Sequence, residues 1–325
     1  MRFSIMLPFV PRRFSSVYDF ARLVDSGEGS RLWQGQATVT EPHQIFTELA
    51  GAGMRLSVGT GVTLMPLRHP FEAALQARSV AIATGRRMIA GFGPGAKSFQ
   101  RSLRGSAYDS PLTAAAEYVQ IVTALLRGGE VHTDGDYFSM HGALPSIQTA
   151  GVDVGLGVLR PGMARVAGRH ADAAITWLTP PDYLRDVVVP ALDDGTQGRR
   201  RRPHVVAMVP VGVRRAHHEV GHGARLALAG SAAHLSLPHY RDMLRRAGIA
   251  VTGTDAAGDA RRLVEGNAFL YGDAEEILTA TRAYADAGVD EIVLNTTGVL
   301  TVDGPRAALA DLREILACAR TLTPV

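Results

Sequence analysis

The chain has 325 residues, 46% of them hydrophobic, and a net charge of +3. That is enough apolar material for a large core, at a length that suits one α/β barrel, and no run of about 18 apolar residues offers a membrane-spanning helix. The charge is too mild, and the basic residues too scattered, for a nucleic-acid surface; the single cysteine, Cys318, excludes a disulfide framework or cysteine metal cluster and fits a reducing cytoplasm.

The apolar patch after Arg2 is too short for a signal segment and is followed by Arg12 and Arg13, so Phe3–Leu7 reads as a first strand of a cytoplasmic protein. Ser16–Ser26 reads as a helix with a serine cap and Asp19 three residues on. Short apolar runs then alternate with helical patterns. The predicted strands are Ser30–Trp33, Arg55–Val58, Met88–Phe92, Asp153–Gly157, Ala173–Trp177, His204–Val213 and Glu291–Asn295. The predicted helices are Pro42–Ala52, Phe71–Thr84, Pro111–Arg127, Gly162–His170, Pro181–Leu192, Asp273–Ala287 and Pro305–Leu322. Proline recurs at helix starts and glycine just past their ends. This alternation predicts one domain over 1–325 with the (β/α)8 TIM barrel fold; a doubly wound sheet is the competing arrangement. Two stretches break the rhythm. Glu130–Met140 reads as a small hairpin around Thr-Asp-Gly, an insertion over 130–142. Residues 217–266 read as a helical insertion between strands seven and eight.

In a barrel the chemistry sits at the C-terminal strand ends. Here those ends carry Trp33-Gln34-Gly35-Gln36, Gly59-Thr60-Gly61-Val62-Thr63, Gly93-Pro94-Gly95, Leu159-Arg160-Pro161-Gly162-Met163 and Trp177-Leu178-Thr179-Pro180. They are rich in glycine and poor in acids and bases, with no Ser/His/Asp set and no carboxylate pair. A mouth built of main chain suits a planar cofactor that brings its own reactivity. Leu159–Met163 opens a helix, whose free amides and Arg160 suit a phosphate; the plain alternative is an ordinary βα turn with a solvated arginine. Trp177 either walls the pocket or belongs to the core. Arg169 and Asp172 read as helix-packing residues. His218 and His222 are spaced i, i+4 beside His217, a spacing that suits a metal, but no third ligand lies near in sequence and no metal site is assigned.

The stretches VGTGVTLMPLRHPFEAALQA, GRRMIAGFGPG, VLRPGMARVAGRHADAAITW and YGDAEEILTATRAYADAGVDEIVL, in that order, resemble the luciferase-like monooxygenase superfamily. That resemblance implies a TIM barrel that binds coenzyme F420 or FMN. It is most similar to the F420-dependent reductase branch, such as methylenetetrahydromethanopterin reductases. It implies a non-proline cis peptide at Gly61–Val62 behind the central ring, with Thr63 beside it. His69, in Arg68-His69-Pro70, then either reaches the cofactor or fixes the loop. The resemblance further puts Gly93, Pro94 and Gly95 near the ring's reactive edge, Leu159, Arg160, Pro161, Gly162 and Met163 on the phosphate, and Trp33 and Gln34 facing the ring.

Two departures matter. The Asp-His pair that the family carries after strand two is replaced by Gln34-Gly35-Gln36, and Ala96 stands where deazaflavin sugar dehydrogenases carry glutamate. A sugar-oxidising reaction therefore loses its acid and base. What is left fits hydride delivery from F420H2 to an electrophilic C=C or C=N bond of a small molecule or modified peptide, such as a dehydroamino acid. The proton then comes from water, Tyr108 or Thr38. Lys97 is the only lysine, which reads as the coding bias of a GC-rich genome; an actinobacterial host of that kind supplies F420. The alternatives are an FMN-dependent monooxygenase and a non-catalytic barrel that binds a cofactor or partner. The run Gly198–Pro203, GRRRRP, reads as a solvated loop, or as bait for an acidic peptide or the coenzyme's glutamate tail. The apolar helices permit a homodimer.

Overall fold

The computed structural model describes residues 1–198 and 201–322. In chain order the elements are β1 (Arg2–Met6), α1 (Tyr18–Asp25), β2 (Leu32–Gln34), α2 (Pro42–Gly51), β3 (Val58–Leu64), α3 (Pro70–Thr84), β4 (Met88–Gly93), α4 (Lys97–Arg104) and α5 (Pro111–Leu126). A hairpin of β5 (Val131–Asp134) and β6 (Ser139–Gly142) follows, then β7 (Val152–Gly157), α6 (Pro161–His170), β8 (Ala173–Trp177), α7 (Pro181–Tyr183), a π turn at Leu184–Val188 and α8 (Val189–Gly195). The last third holds β9 (His204–Val213), α9 (His222–Leu235), α10 (Pro238–Arg246), α11 (Ala256–Glu265), β10 (Leu270–Gly272), α12 (Ala274–Asp286), β11 (Glu291–Asn295), α13 (Thr297–Asp303) and α14 (Pro305–Leu322).

Parallel pairing runs β11-β1-β2-β3-β4-β7-β8, and β9 closes the circle by pairing with both β8 and β11. Closure excludes the doubly wound sheet and makes the TIM barrel. The insertion α9–α11 lies between the seventh and eighth barrel strands, and β10 adds to the far end of β9, Leu270 opposite Val211. No described helix is long and apolar enough to cross a membrane.

Local chemistry explains the punctuation. Proline opens α2, α3, α5, α6 and α10, where its missing N–H costs nothing. Gly85 ends α3 in the left-handed region. Asp273 and Glu276 form a reciprocal capping box on α12. Ser16 does not cap a helix: a 3-10 turn over Phe14–Val17 precedes α1, and the Ser16 hydroxyl donates to the Arg13 carbonyl. Asp172 ties two elements, accepting from the Val154 amide at 3.1 Å and from Arg127 at 2.9 Å. Within the basic run 198–203, Arg199 and Arg200 lie outside the described residues, and Arg202 donates to the Gly288 carbonyl at 3.1 Å.

The third strand differs from its expected extent. Instead of stopping at Val58 it runs through the glycines to Leu64, with a register shift against β4 between Thr60 and Thr63. The glycines are there for room. A Cβ on Gly59 would lie 2.6 Å from the Trp33 ring, and one on Gly61 would lie 2.0 Å from Met208 Cε.

Two apolar cores result. The larger fills the space between strands and helices. The smaller is the barrel interior, made of Met6, Trp33, Ile89, Ala173, Ile175, Val206, Met208 and Val293, with Val62 and Trp177 packed against it. Beside that interior, at the first residue of β11, Glu291 is fully buried. Its carboxylate accepts from Ser4 Oγ at 2.7 Å, Trp33 Nε1 at 2.8 Å and His204 Nε2 at 3.0 Å, and Arg31 Nε lies 3.5 Å away. Burial of a carboxylate is tolerated only with such partners.

Candidate active site at the barrel mouth

The β3 bulge shapes the mouth. The Gly61–Val62 peptide is cis. Val62 leans over the barrel interior, between the ends of β4 and β7. A Cβ on Gly93 would sit 2.9 Å from Val62 Cγ2, and one on Gly157 would sit 3.3 Å from Val62 Cγ1. Val62, Gly93 and the end of β7 thus share one place, three residues before Arg160. Thr63 is buried and turned into the sheet, its hydroxyl on the Gly91 carbonyl at 3.2 Å. Gly95 takes a left-handed φ of 71°, and Gln100 Nε2 holds the Pro94 and Gly95 carbonyls at 3.0 and 2.9 Å. Gln100 also accepts the Tyr108 amide, which ties Tyr108 to this turn. The Tyr108 hydroxyl is buried without a hydrogen-bond partner, and burial, against the nearby Arg104, raises its pKa.

One residue expected to face the ring turns inward, and His69 takes the loop-fixing role of its two readings. Trp33 is fully buried in the barrel interior with its N–H on Glu291, so it supports the floor from below. His69 spends both ring nitrogens on the protein. Nδ1 accepts the Phe71 amide at 3.2 Å, capping α3, and Nε2–H donates to the Ser139 carbonyl at 3.0 Å, which pins the hairpin to the loop. Arg68 joins this scaffold through Gln36 at 3.3 Å and Glu41 at 3.4 Å.

On the other side, α6 starts at Pro161 with Arg160 in the cap position. Arg160 gives the turn no side-chain bond, and the first turn carries no acid. Such an end draws anions. Leu159 and Met163 pack partly buried beneath it. The Arg160 guanidinium pairs with Asp242 of α10 at 2.9 Å, and Asp242 also takes Arg246 at 3.0 Å. The insertion therefore reaches across to the α6 start.

It also supplies a residue that sequence reading missed. His234 of α9 stacks on Trp177, with centroids 4.8 Å apart and planes at 26°; Tyr240 meets the same imidazole edge-on at 5.0 Å. Burial, with His239 nearby, pushes the His234 pKa down to about 4, so the ring is neutral at pH 7. His234 Nδ1, Trp177 Nε1 and, at the end of β2, Gln34 Oε1 are buried without hydrogen-bond partners. Buried polar atoms normally find partners, so the two orphans that share the Trp177–His234 stack point to a ligand. Nothing in the local sequence of α9 marks His234; only the fold brings it to Trp177.

These features fit a planar cofactor with an anionic arm. They give an apolar floor at Val62 and Trp177, glycines in the neighbouring strand ends, an open helix start with Arg160, and unpaired polar atoms. No ionised acid–base pair bonds to any of the three orphaned groups.

The profile of the luciferase-like monooxygenase family matches residues 1–291. The chain belongs to that family. It is 27% identical over 164 residues to a 5,10-methylenetetrahydromethanopterin reductase of Methanolobus tindarius, covering 50% of each chain. It is 26% identical over 174 residues to a 4-hydroxyprotoasukamycin monooxygenase of Streptomyces nodosus subsp. asukaensis, covering 50% of this chain and 47% of the other. The chain thus spans about half the length of these curated relatives. In three dimensions it matches the coenzyme F420-dependent tetrahydromethanopterin reductase of Methanopyrus kandleri with a TM-score of 0.74 at 20% identity, over 98% of this chain and 99% of that one. The curated relatives thus include both a reductase and a monooxygenase.

Proposed function

We propose that this member of the luciferase-like monooxygenase family is an F420H2-dependent reductase that delivers a hydride to an activated C=C or C=N bond of a specialised metabolite or modified peptide. The observation that carries this reading is the mouth itself. An apolar, main-chain-rich floor lies beside an uncapped helix start, and the nearest imidazole is held neutral. Such a site orients reactants rather than driving acid–base chemistry on a hydroxyl.

Arg160 and the Gly162 and Met163 amides would hold the coenzyme's phosphate, with Val62 behind its ring and Gly93–Gly95 along its edge. When bound, F420H2 supplies the hydride. Trp177 and His234 present hydrogen-bonding atoms to the substrate. Tyr108, kept protonated by burial, holds a proton at its hydroxyl; the hydroxyl or water completes the addition.

A second reading, an FMN-dependent monooxygenase, draws on the Streptomyces relative. Anaerobic mixing with F420H2 and a panel of dehydroalanine peptides and cyclic imines separates the two. The reductase reading predicts F420H2 oxidation matched one-to-one by reduced product. Oxygen uptake with reduced FMN, and no reaction with F420H2, would instead establish the monooxygenase.

A further inference from the structure

Beyond the mouth, the fold brings a carboxylate from far along the chain to the His218–His222 pair. His218 and His222 stack, with centroids 3.8 Å apart, and His222 Nε2 lies 3.0 Å from Asp303 Oδ2 at the end of α13. One ligand atom from each of the three lies within 4.8 Å of the others. We propose that His218, His222 and Asp303 bind a divalent first-row transition ion, with Zn2+ the best match, that clasps the start of α9 to the end of α13.

Two imidazoles and one carboxylate are a standard ligand set for Zn2+, with a fourth position left for water. The arrangement also supplies an outer partner. Tyr271 of β10 has its hydroxyl 2.9 Å from His218 Nδ1. With Nδ1–H donating to the Tyr271 oxygen, Nε2 is free of its proton and able to ligate. The Arg215 amide donates to Nδ1 at 3.2 Å in this structure, and ligation through Nε2 gives up that bond. Ligand atoms around tetrahedral Zn2+ stand roughly 3.4 Å apart. Closing on the ion therefore requires His218, on a partly exposed loop, to turn toward His222.

Electrostatics permit the ion. The neighbouring cations are already answered: Arg214 pairs with Glu276 at 2.7 Å, and Arg215 pairs with Asp311 and with Glu314 at 2.6 Å. Asp303 is left to the imidazoles. A groove of about 410 Å³, lined by His218, Glu219 and Tyr271, opens beside the cluster and admits the ion and its water. His222 is buried, so it holds the inner side of the site.

The test uses the tag-free full chain after EDTA treatment, titrated with Zn2+ by calorimetry and with Co2+ by visible absorption. One equivalent should bind, Co2+ should give the intense bands of a tetrahedral site, and Zn2+ should raise the thermal midpoint. His218→Ala and Asp303→Asn, each checked for native circular dichroism, should weaken binding at least tenfold and abolish the midpoint shift. His141→Ala, in the separate hairpin, should bind as the parent does. Absence of stoichiometric binding by the parent chain would overturn the assignment, as would binding that His218→Ala and Asp303→Asn leave unchanged.

Discussion

Replacing Glu291 by alanine should lower the unfolding free energy by about 3–5 kcal/mol, the usual cost of removing one partner from a buried ion pair. The variant strands Arg31, which is 6% exposed, and leaves the Trp33 indole N–H and the Ser4 hydroxyl without their acceptor. Urea unfolding followed by far-UV circular dichroism measures the loss. The same group sets an acid dependence. Burial raises a carboxyl pKa, but here bonds from His204, Ser4 and Trp33 and the charge of Arg31 outweigh it and hold Glu291 at about 2, against an ordinary 4.5. The folded chain therefore holds this proton less tightly than the unfolded one. Its contribution, about 3 kcal/mol at full size, is complete above pH 4.5 and is lost as the pH falls toward 2. Glu291→Gln should flatten stability over that interval. Equal pH slopes for parent and variant there would contradict this account.

Gly162→Glu should separate binding from folding. A carboxylate in the first turn of α6 complements the helix dipole, and replacing glycine there favours the helix, so the thermal midpoint should hold or rise. The new Cβ would stand 3.1 Å from Leu112 Cδ1, the movable end of a side chain. The same carboxylate occupies the amides and repels a phosphate. Affinity for a phosphate-bearing cofactor should fall at least a hundredfold, about 3 kcal/mol. Unchanged affinity in a well-folded Gly162→Glu protein would remove the phosphate from this turn.

The fold was legible because its signals are local. Ala173–Trp177, His204–Val213 and Glu291–Asn295 are runs buried on both faces, and they form strands with those same bounds. The missed elements are short and weakly patterned: α4 and α13 follow strand ends without a long apolar period, and β10 exists only because β9 overhangs the barrel. At the mouth, backbone shape was legible in the sequence. The cis bond at Gly61–Val62 stands where the family resemblance put it, and the structure adds that Gly93 and Gly157 make room for Val62. The sequence was misleading where side chains choose a direction. Trp33 lies at a strand end, but its indole turns inward because Glu291, far along the chain, accepts its N–H. For His69 the sequence left two roles open, and its bonds to the Phe71 amide and the Ser139 carbonyl select the loop-fixing one. His234 and Asp303 carry no local signature; each acquires its meaning from a contact made across the fold.

The most direct measurement is a paired equilibrium titration of the parent chain with F420 and with FMN, followed by cofactor fluorescence. The account predicts saturable binding of one F420 per chain, with FMN at least tenfold weaker. Tighter binding of FMN, or saturable binding of neither, would contradict it.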